Sequence, residues 1–202
     1  MNITRRNILR LPPAQQAIWD KCFHPTGTFV EFKKEEGQQS IPARFEQIVG
    51  MYPDRIAVKA GTHAVTYSEL NAIANRVAGA ILAEQGEKAE PIAIAFEKGV
   101  AQIAAMLGVL KAGKFVVLVD TSSPAARIVS VLEDAHAELV LASGQNAALA
   151  GEVAGSPCRL MEFESIDCGI PCENLRYPVS PKALAVIMYT SGSTGKPQGV
   201  VP

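Results

Sequence analysis

The chain has 202 residues, enough for one domain or one large subdomain with a real hydrophobic core. Apolar residues make up 48% and charged residues 19%, which is typical of a globular protein and excludes a disordered one. The 19 basic residues nearly balance the 20 acidic ones, for a net charge of -1, so nothing indicates nucleic acid or an anionic membrane as the principal partner.

The sequence favours a cytoplasmic protein. The most apolar run, Val100 to Leu110, is 11 residues long, whereas a helix needs roughly 20 residues to span a bilayer. The first 13 residues contain no apolar stretch of the kind found in signal peptides. We therefore expect the four cysteines to be reduced thiols.

A metal site is not predicted. Cys168 and Cys172 have the spacing of half a zinc site, but no second Cys or His pair lies at suitable spacing. Structural zinc takes four ligands. The expectation is therefore that no residue of this chain is a metal ligand.

Two regions differ in sequence pattern. Residues 1–40 show little periodicity and contain three prolines and the polar run Lys33 to Gln39, so we interpret them as an N-terminal leader or linker. From residue 41 to residue 202 apolar positions recur at helix and strand spacings, which indicates one folded unit.

Helices and strands alternate along 41–202. Helices are predicted near 41–49, 70–82, 100–110 and 124–135, and strands near 55–60, 62–66, 91–96, 115–119, 139–142, 159–163 and 183–189. Thr66 and Glu69 have the spacing of a capping box, and Gly113 can end a helix. Ser123 is predicted to cap the fourth helix, with Pro124 in its first turn. The alternation predicts an α/β fold with a mainly parallel sheet, whose ligands collect at the carboxyl ends of the strands.

A loop with the chemistry of a phosphate site follows the last buried strand. Thr190 to Gly199 read TSGSTGKPQG, with four hydroxyl side chains, three glycines and one lysine in ten residues. Glycines let backbone amides approach an anion, hydroxyls donate to phosphate oxygens, and lysine adds positive charge. The alternative is a flexible Gly/Ser linker. The predicted phosphate-binding residues are Thr190, Ser191, Gly192, Ser193, Thr194, Gly195 and Lys196.

The loop is not a Walker A motif. That motif has two glycines separated by four residues and leads into a helix, whose amides hold the phosphates. Here Gly192 and Gly195 are three residues apart, Pro197 follows the lysine, and residues 199–201 read as the start of a strand. The sequence therefore predicts a strand-to-strand loop.

Three ordered motifs resemble the adenylate-forming superfamily, especially the adenylation domains of nonribosomal peptide synthetases. The segment from Leu184 to Gly199 resembles the superfamily signature. The family's first core motif resembles Val65-Thr-Tyr-Ser-Glu-Leu70 of this chain, followed by Asn71, Ala74 and Asn75. Its second core motif resembles Leu110-Lys-Ala-Gly113 through Asp120, followed by Ser123-Pro124-Ala-Ala-Arg127. The resemblance identifies 41–202 as the incomplete N-terminal subdomain of an adenylation (AMP-binding) domain, ending just after the phosphate loop.

The resemblance implies a reaction. Members use ATP with Mg²⁺ to activate a carboxylic acid as an acyl adenylate with release of pyrophosphate, and many pass the acyl group to phosphopantetheine on a carrier domain. Thr190 to Lys196 would hold the β- and γ-phosphates. The adenine, ribose, magnesium and substrate contacts of the family, and its late catalytic lysine, follow the loop. We therefore assign no catalytic residue within this span and expect the isolated chain to be inactive.

Two positions depart from the family pattern. Gln198 occupies a usual lysine position, which removes a positive charge beside the phosphates, and Leu118 replaces a usual proline. Two alternatives to a peptide-synthetase fragment remain. One is a fragment of an acyl- or aryl-CoA ligase, and the other is a non-catalytic nucleotide-binding half that complements a second polypeptide. The identity of the activated carboxylate is not encoded in these residues.

Overall fold

The computed structural model describes residues 37–146, 158–175, 177–191 and 197–201. The helices are α1 (Ile41–Met51), α2 (Tyr67–Gln85), α3 (Val100–Lys111) and α4 (Ala125–Ala135). The strands are β1 (Ile56–Ala60), β2 (His63–Thr66), β3 (Pro91–Ala95), β4 (Phe115–Leu118), β5 (Leu139–Ala142), β6 (Arg159–Glu162), β7 (Val186–Ser191) and β8 (Pro197–Val200). Within these ranges, no helix is long and apolar enough to cross a membrane.

The predicted parallel sheet is present. Six strands lie in the order β6-β5-β3-β4-β7-β8. The first five run parallel, and only β8 runs antiparallel to its neighbour β7. Strands β1 and β2 form a separate antiparallel hairpin. The α/β class predicted from the alternating pattern is therefore confirmed, and the proposed boundary at residue 40 stays a prediction.

Alternate residues of the central strands face two different helix layers. Ile92 and Ile94 of β3 pack with α2 and α3, whereas Ala93 and Ala95 pack with α4. All four side chains are at most 3% exposed. A strand buried on both faces is what a near-continuous apolar run such as PIAIA predicts. The apolar layers on the two faces hold the sheet in place, and they thereby position the carboxyl ends of the parallel strands.

The capping box at the start of α2 forms as predicted. The Glu69 amide donates to the Thr66 hydroxyl at 3.2 Å, and the Thr66 amide donates to the Glu69 carboxylate at 2.8 Å. The Thr66 hydroxyl also donates to the Glu69 carboxylate at 3.0 Å. The bond from the Thr66 amide, and then the bond from its hydroxyl, hold the pKa of Glu69 below its usual value. A local sequence signal thus specifies where α2 begins.

Gly113 ends α3 as predicted, with φ of 70°. Its amide donates to the Leu110 carbonyl at 3.0 Å. A Cβ atom at this position would also lie only 2.3 Å from Cε1 of Tyr177. Both the left-handed backbone and the close ring therefore require glycine here.

The predicted cap of α4 is wrong. Pro124 is the N-cap residue, α4 begins one residue later, and no side chain caps its first amides. The Ser123 hydroxyl donates instead to the Asp120 carboxylate at 3.2 Å. The Ser123 amide also donates to the Asp120 carbonyl at 3.0 Å, so Ser123 belongs to the turn before the helix.

The last parallel strand differs from its predicted form. The sequence predicts a buried strand over 183–189, but β7 begins at Val186 and is only half-buried, with Met188 43% exposed. It pairs with β4 only at Val186 and Ile187. The remaining residues of β7 pair with β8, so one face of this ribbon lacks a covering layer within the described residues.

Candidate functional site

The predicted phosphate loop is carried by an antiparallel hairpin at the carboxyl edge of the parallel sheet. Thr190 and Ser191 are the last residues of β7, and Ser191 pairs with Pro197 at the start of β8. Residues 192–196 join the two strands. The structure thus places two predicted site residues, while Gly192, Ser193, Thr194, Gly195 and Lys196 lie outside the described residues. The expectation that the loop connects two strands is confirmed.

The hairpin has two distinct faces because side chains alternate along a strand. Tyr189 pairs with Gly199, and Thr190 pairs with Gln198. Residues opposite one another in an antiparallel pair project from the same face, so Thr190 and Gln198 share the face opposite to Tyr189. Gln198 is exposed. The residue that departs from the family pattern is therefore the cross-strand neighbour of the first loop residue.

Tyr189 ties the hairpin to α4. Its hydroxyl donates to Oδ2 of Asp134 at 2.7 Å. Burial raises the pKa of Tyr189, and the hydrogen bond and charge of Asp134 raise it further. The phenol therefore keeps its proton and stays a donor. Neither residue was predicted to belong to the site, because 55 positions separate them and no local spacing links them.

A small cavity lies beneath the hairpin, between the end of β4 and α4. Its volume is about 90 Å³, and Asp120, Ser123, Arg127 and Tyr189 supply its polar lining. The hydroxyl of Ser122 donates to Asp120 at 2.7 Å and its amide donates at 3.0 Å. These bonds, the hydroxyl first, hold the pKa of Asp120 below its usual value. The space beside Tyr189 thus contains a fixed anion and an arginine.

A larger cleft of about 590 Å³ opens at the same edge, between the β1–β2 hairpin and the ends of β3 and β5. His63, Glu97, Lys98 and Glu164 contribute its charged or titratable lining. The strands that follow β3 and β5 in sequence, β4 and β6, lie toward opposite edges of the sheet, and open α/β sheets hold ligands at such points. The carboxyl edge therefore offers concave surface beyond the phosphate loop.

The first motif serves the scaffold. Asn75 of α2 is fully buried, and its amide donates to the Cys172 carbonyl at 2.7 Å and to Asn174 at 3.1 Å. Asn71, one helical turn earlier, donates to the same Asn174 oxygen at 2.8 Å. The two asparagines thus fix the loop that leads toward β7.

The lysine of the second motif is also structural. Lys111 is 2% exposed and forms an ion pair with Glu46 of α1. Burial lowers the pKa of Lys111, and the hydrogen bond and charge of Glu46 oppose that shift. The ion pair joins α3 to α1, so this motif residue holds the two helices together.

Within the described ranges, no three His, Cys, Asp or Glu side chains converge to form a metal site. Cys168 and Cys172 are both exposed free thiols. The described residues therefore contain no preformed cluster of metal ligands.

Comparison with known proteins places the chain in a family. The family model of AMP-binding enzymes matches residues 45–201. Tyrocidine synthase 3 of Brevibacillus parabrevis is 36% identical over 158 residues, which are 78% of this chain and 2% of that synthase. Tyrocidine synthase 1 of the same organism is 34% identical over 164 residues, or 81% of this chain and 15% of that synthase. The chain thus spans a small part of these relatives.

Solved structures show the same fold. The N-terminal subdomain of Klebsiella oxytoca NpsA, in complex with 3-hydroxybenzoyl-AMSN, has a TM-score of 0.72 and 27% identity, covering 85% of this chain and 43% of that one. A benzoate CoA ligase from Burkholderia xenovorans LB400 has a TM-score of 0.70 and 26% identity, covering 80% of this chain and 34% of that one. The chain therefore belongs to the AMP-binding enzyme family and has the fold of the N-terminal subdomain of its adenylate-forming members.

Proposed function

We propose that the chain supplies the pyrophosphate-side ATP contacts of an enzyme that activates a carboxylate as an acyl adenylate. The observation that carries this proposal is the position of Thr190 and Ser191, on a hairpin at the carboxyl edge of the sheet. Parallel sheets bind their ligands at that edge. The Gly- and hydroxyl-rich segment between the strands has the donors that a polyphosphate requires.

The role of each predicted site residue follows from its chemistry. The hydroxyls of Thr190, Ser191, Ser193 and Thr194 would donate to the β- and γ-phosphate oxygens, and Gly192 and Gly195 would admit backbone amides. Lys196 would add positive charge. Donors held in place before the reaction stabilise negative charge that develops on departing pyrophosphate without reorganising. The proposed contribution of this chain is therefore to bind and orient the leaving group.

The substrate is proposed to be an amino acid, activated for nonribosomal peptide synthesis. Support comes from the tyrocidine synthases, which are 34% and 36% identical to this chain. The carrier domain with its phosphopantetheine, the Mg²⁺ ligands and the carboxylate pocket would lie outside this chain. We expect no adenylation by the isolated chain, and its cytoplasmic location stays a prediction from the sequence.

A CoA ligase is the second candidate within the same chemistry. The similarity to the benzoate CoA ligase, with a TM-score of 0.70, favours it specifically. Both candidate enzymes must bind pyrophosphate in the same way, so the phosphate loop does not distinguish between them. A non-catalytic half that needs a second polypeptide is the remaining alternative.

Calorimetric titration of the purified chain with MgATP and with inorganic pyrophosphate tests the proposal. Lys196→Ala should weaken both affinities by about tenfold, because hydrogen bonds to charged groups contribute about 1.5–3 kcal/mol. Lys182→Ala removes the same charge at an exposed residue before β7 and should change neither affinity. Equal weakening by both variants, or no binding to the unmodified chain, would contradict the proposal. ATP–pyrophosphate exchange by the chain alone would contradict the expected inactivity.

A further inference from the structure

Tyr189 lies one residue before Thr190 and on the opposite face of the hairpin. We propose that Tyr189 and Asp134 are positioning residues, whose hydrogen bond fixes both ends of the phosphate loop on α4. This inference rests on the proposed function of the loop. Neither residue touches the nucleotide in this proposal, since both act through the strands that carry the loop.

The end of the β7–β8 hairpin that carries the phosphate loop extends beyond the parallel part of the sheet. Strand β7 pairs with β4 only at Val186 and Ile187. Residues 188–191 pair across to β8 in the described structure. A two-stranded ribbon alone is only marginally stable in water. The end of β7 that carries Thr190 therefore needs a further attachment to the body of the domain.

The side chain of Tyr189 provides that attachment for both strands at once. Tyr189 is the register partner of Gly199 on β8. A Cβ atom at position 199 would lie 3.3 Å from Cζ of Tyr189 and 3.1 Å from Cγ2 of Ile187. The ring thus lies across the glycine before its hydroxyl reaches Asp134 at 2.7 Å. The Tyr189 side chain, which projects from β7, therefore contacts both β8 and α4.

The place of Asp134 supports a dedicated role. It lies in the last turn of α4, which contains no basic residue. A carboxylate at a helix C-terminus is disfavoured by the helix dipole, so helix stability does not explain it. The hydrogen bond from Tyr189 does explain it, because a half-buried phenol is stabilised by an acceptor and a charged acceptor is a strong one. The protonated phenol and the carboxylate are therefore matched partners.

The test uses the full chain, four single variants and one double variant. Tyr189→Phe and Asp134→Ala remove the hydrogen bond, whereas Asp134→Asn keeps an acceptor oxygen. Tyr177→Phe is the matched control, because its hydroxyl donates to the Glu87 carbonyl at 2.9 Å, outside the hairpin. The readouts are hydrogen exchange of the Gln198, Gly199 and Val200 amides without ligand, the Kd for MgATP, and the thermal midpoint.

Loss of the bond should speed exchange of the β8 amides and weaken MgATP binding, each by about threefold to tenfold, since one hydrogen bond is at stake. Asp134→Asn should stay near the unmodified chain, and Tyr177→Phe should leave both readouts unchanged. Adding Asp134→Ala to Tyr189→Phe should have no further effect, because one interaction cannot be lost twice.

Different outcomes overturn different parts. Unchanged exchange in Tyr189→Phe, or Asp134→Asn as disruptive as Asp134→Ala, would overturn the anchoring role. Faster exchange with an unchanged Kd would show an anchor that does not position the loop, and would also overturn the inference. Failure of the unmodified chain to bind MgATP would overturn the proposed function, and exchange alone would then decide whether the pair anchors the hairpin.

Discussion

Thr190 and Gln198 face each other across β7 and β8, on the same side of the hairpin. A charge placed at position 198 therefore lies beside the first residue of the phosphate loop. We expect Gln198→Lys to lower the Kd for MgATP by about threefold to tenfold at low ionic strength, because the added charge attracts the polyphosphate. The gain should shrink as salt rises, since exposed charges are screened. Titration calorimetry at two salt concentrations measures both effects.

Gln38→Lys is the control for this prediction. It makes the same change in net charge at another exposed glutamine, in the turn before α1. It should leave the Kd unchanged. An equal gain from both variants would mean that net charge alone matters, and no gain from Gln198→Lys would mean that position 198 lies away from the phosphates.

The buried Asn75 is expected to be critical for the stability of the fold. Asn75→Ala removes the donor to the Cys172 carbonyl and to Asn174. We expect the free energy of unfolding to fall by about 1–3 kcal/mol, because two part-buried hydrogen bonds are lost and the Cys172 carbonyl loses its donor. Urea unfolding with an unchanged m-value measures this loss.

Asn174→Ala gives the matched comparison. It removes the acceptor that Asn71 and Asn75 share but leaves the bond to Cys172 intact. It should cost less than Asn75→Ala, and the double variant should cost less than the sum of the two single variants. Strict additivity would show that the two asparagines do not share one network.

Local signals in the sequence predicted most of the scaffold. Apolar periodicity located the four helices of the described residues, and the spacing of Thr66 and Glu69 marked the start of α2. These features depend on residues a few positions apart, so a local pattern encodes them. The strand-to-strand character of the phosphate loop was predicted in the same way, from Pro197 and the apolar residues after it.

Features that depend on distant residues were not predicted. Ser123 has the sequence of a helix cap, yet its hydroxyl donates to the Asp120 carboxylate and no side chain caps α4. The bond between Tyr189 and Asp134 spans 55 positions, and the bond from Asn75 to Cys172 spans 97. Such pairs are set by which strands and helices become neighbours in three dimensions. These contacts can be identified only when the three-dimensional fold is known.

Gly113 is expected to tolerate no side chain. Gly113→Ala should destabilise the chain by about 2–4 kcal/mol, from the left-handed backbone and from overpacking against Tyr177. Gly50→Ala is the control, since a Cβ there meets nothing within 4 Å; it should stabilise α1 by about 0.5–1 kcal/mol.

Chemical denaturation of Gly113→Ala, Gly50→Ala, Tyr177→Ala and the Gly113→Ala/Tyr177→Ala double variant separates the two causes. Removing the ring should relieve the overpacking but not the backbone strain, so the double variant should cost less than the two changes added together. A Gly113→Ala variant as stable as Gly50→Ala would contradict the predicted strain.

The capping carboxylate of Glu69 should make the stability of the chain depend on pH. The hydrogen bonds from Thr66 lower the pKa of Glu69 in the folded state below its usual value, so the unfolded chain binds the proton more readily. The contribution of Glu69 is therefore fully present above its unfolded pKa and is lost as pH falls through its folded pKa. Glu69→Gln should lower the thermal midpoint at neutral pH, and the difference from the unmodified chain should shrink in acid.

Glu133→Gln, a change at an exposed residue of α4, is the control and should not show a difference in thermal midpoint that shrinks in acid. A constant difference between Glu69→Gln and the unmodified chain across the acid range would show that the charge of Glu69 does not stabilise the cap.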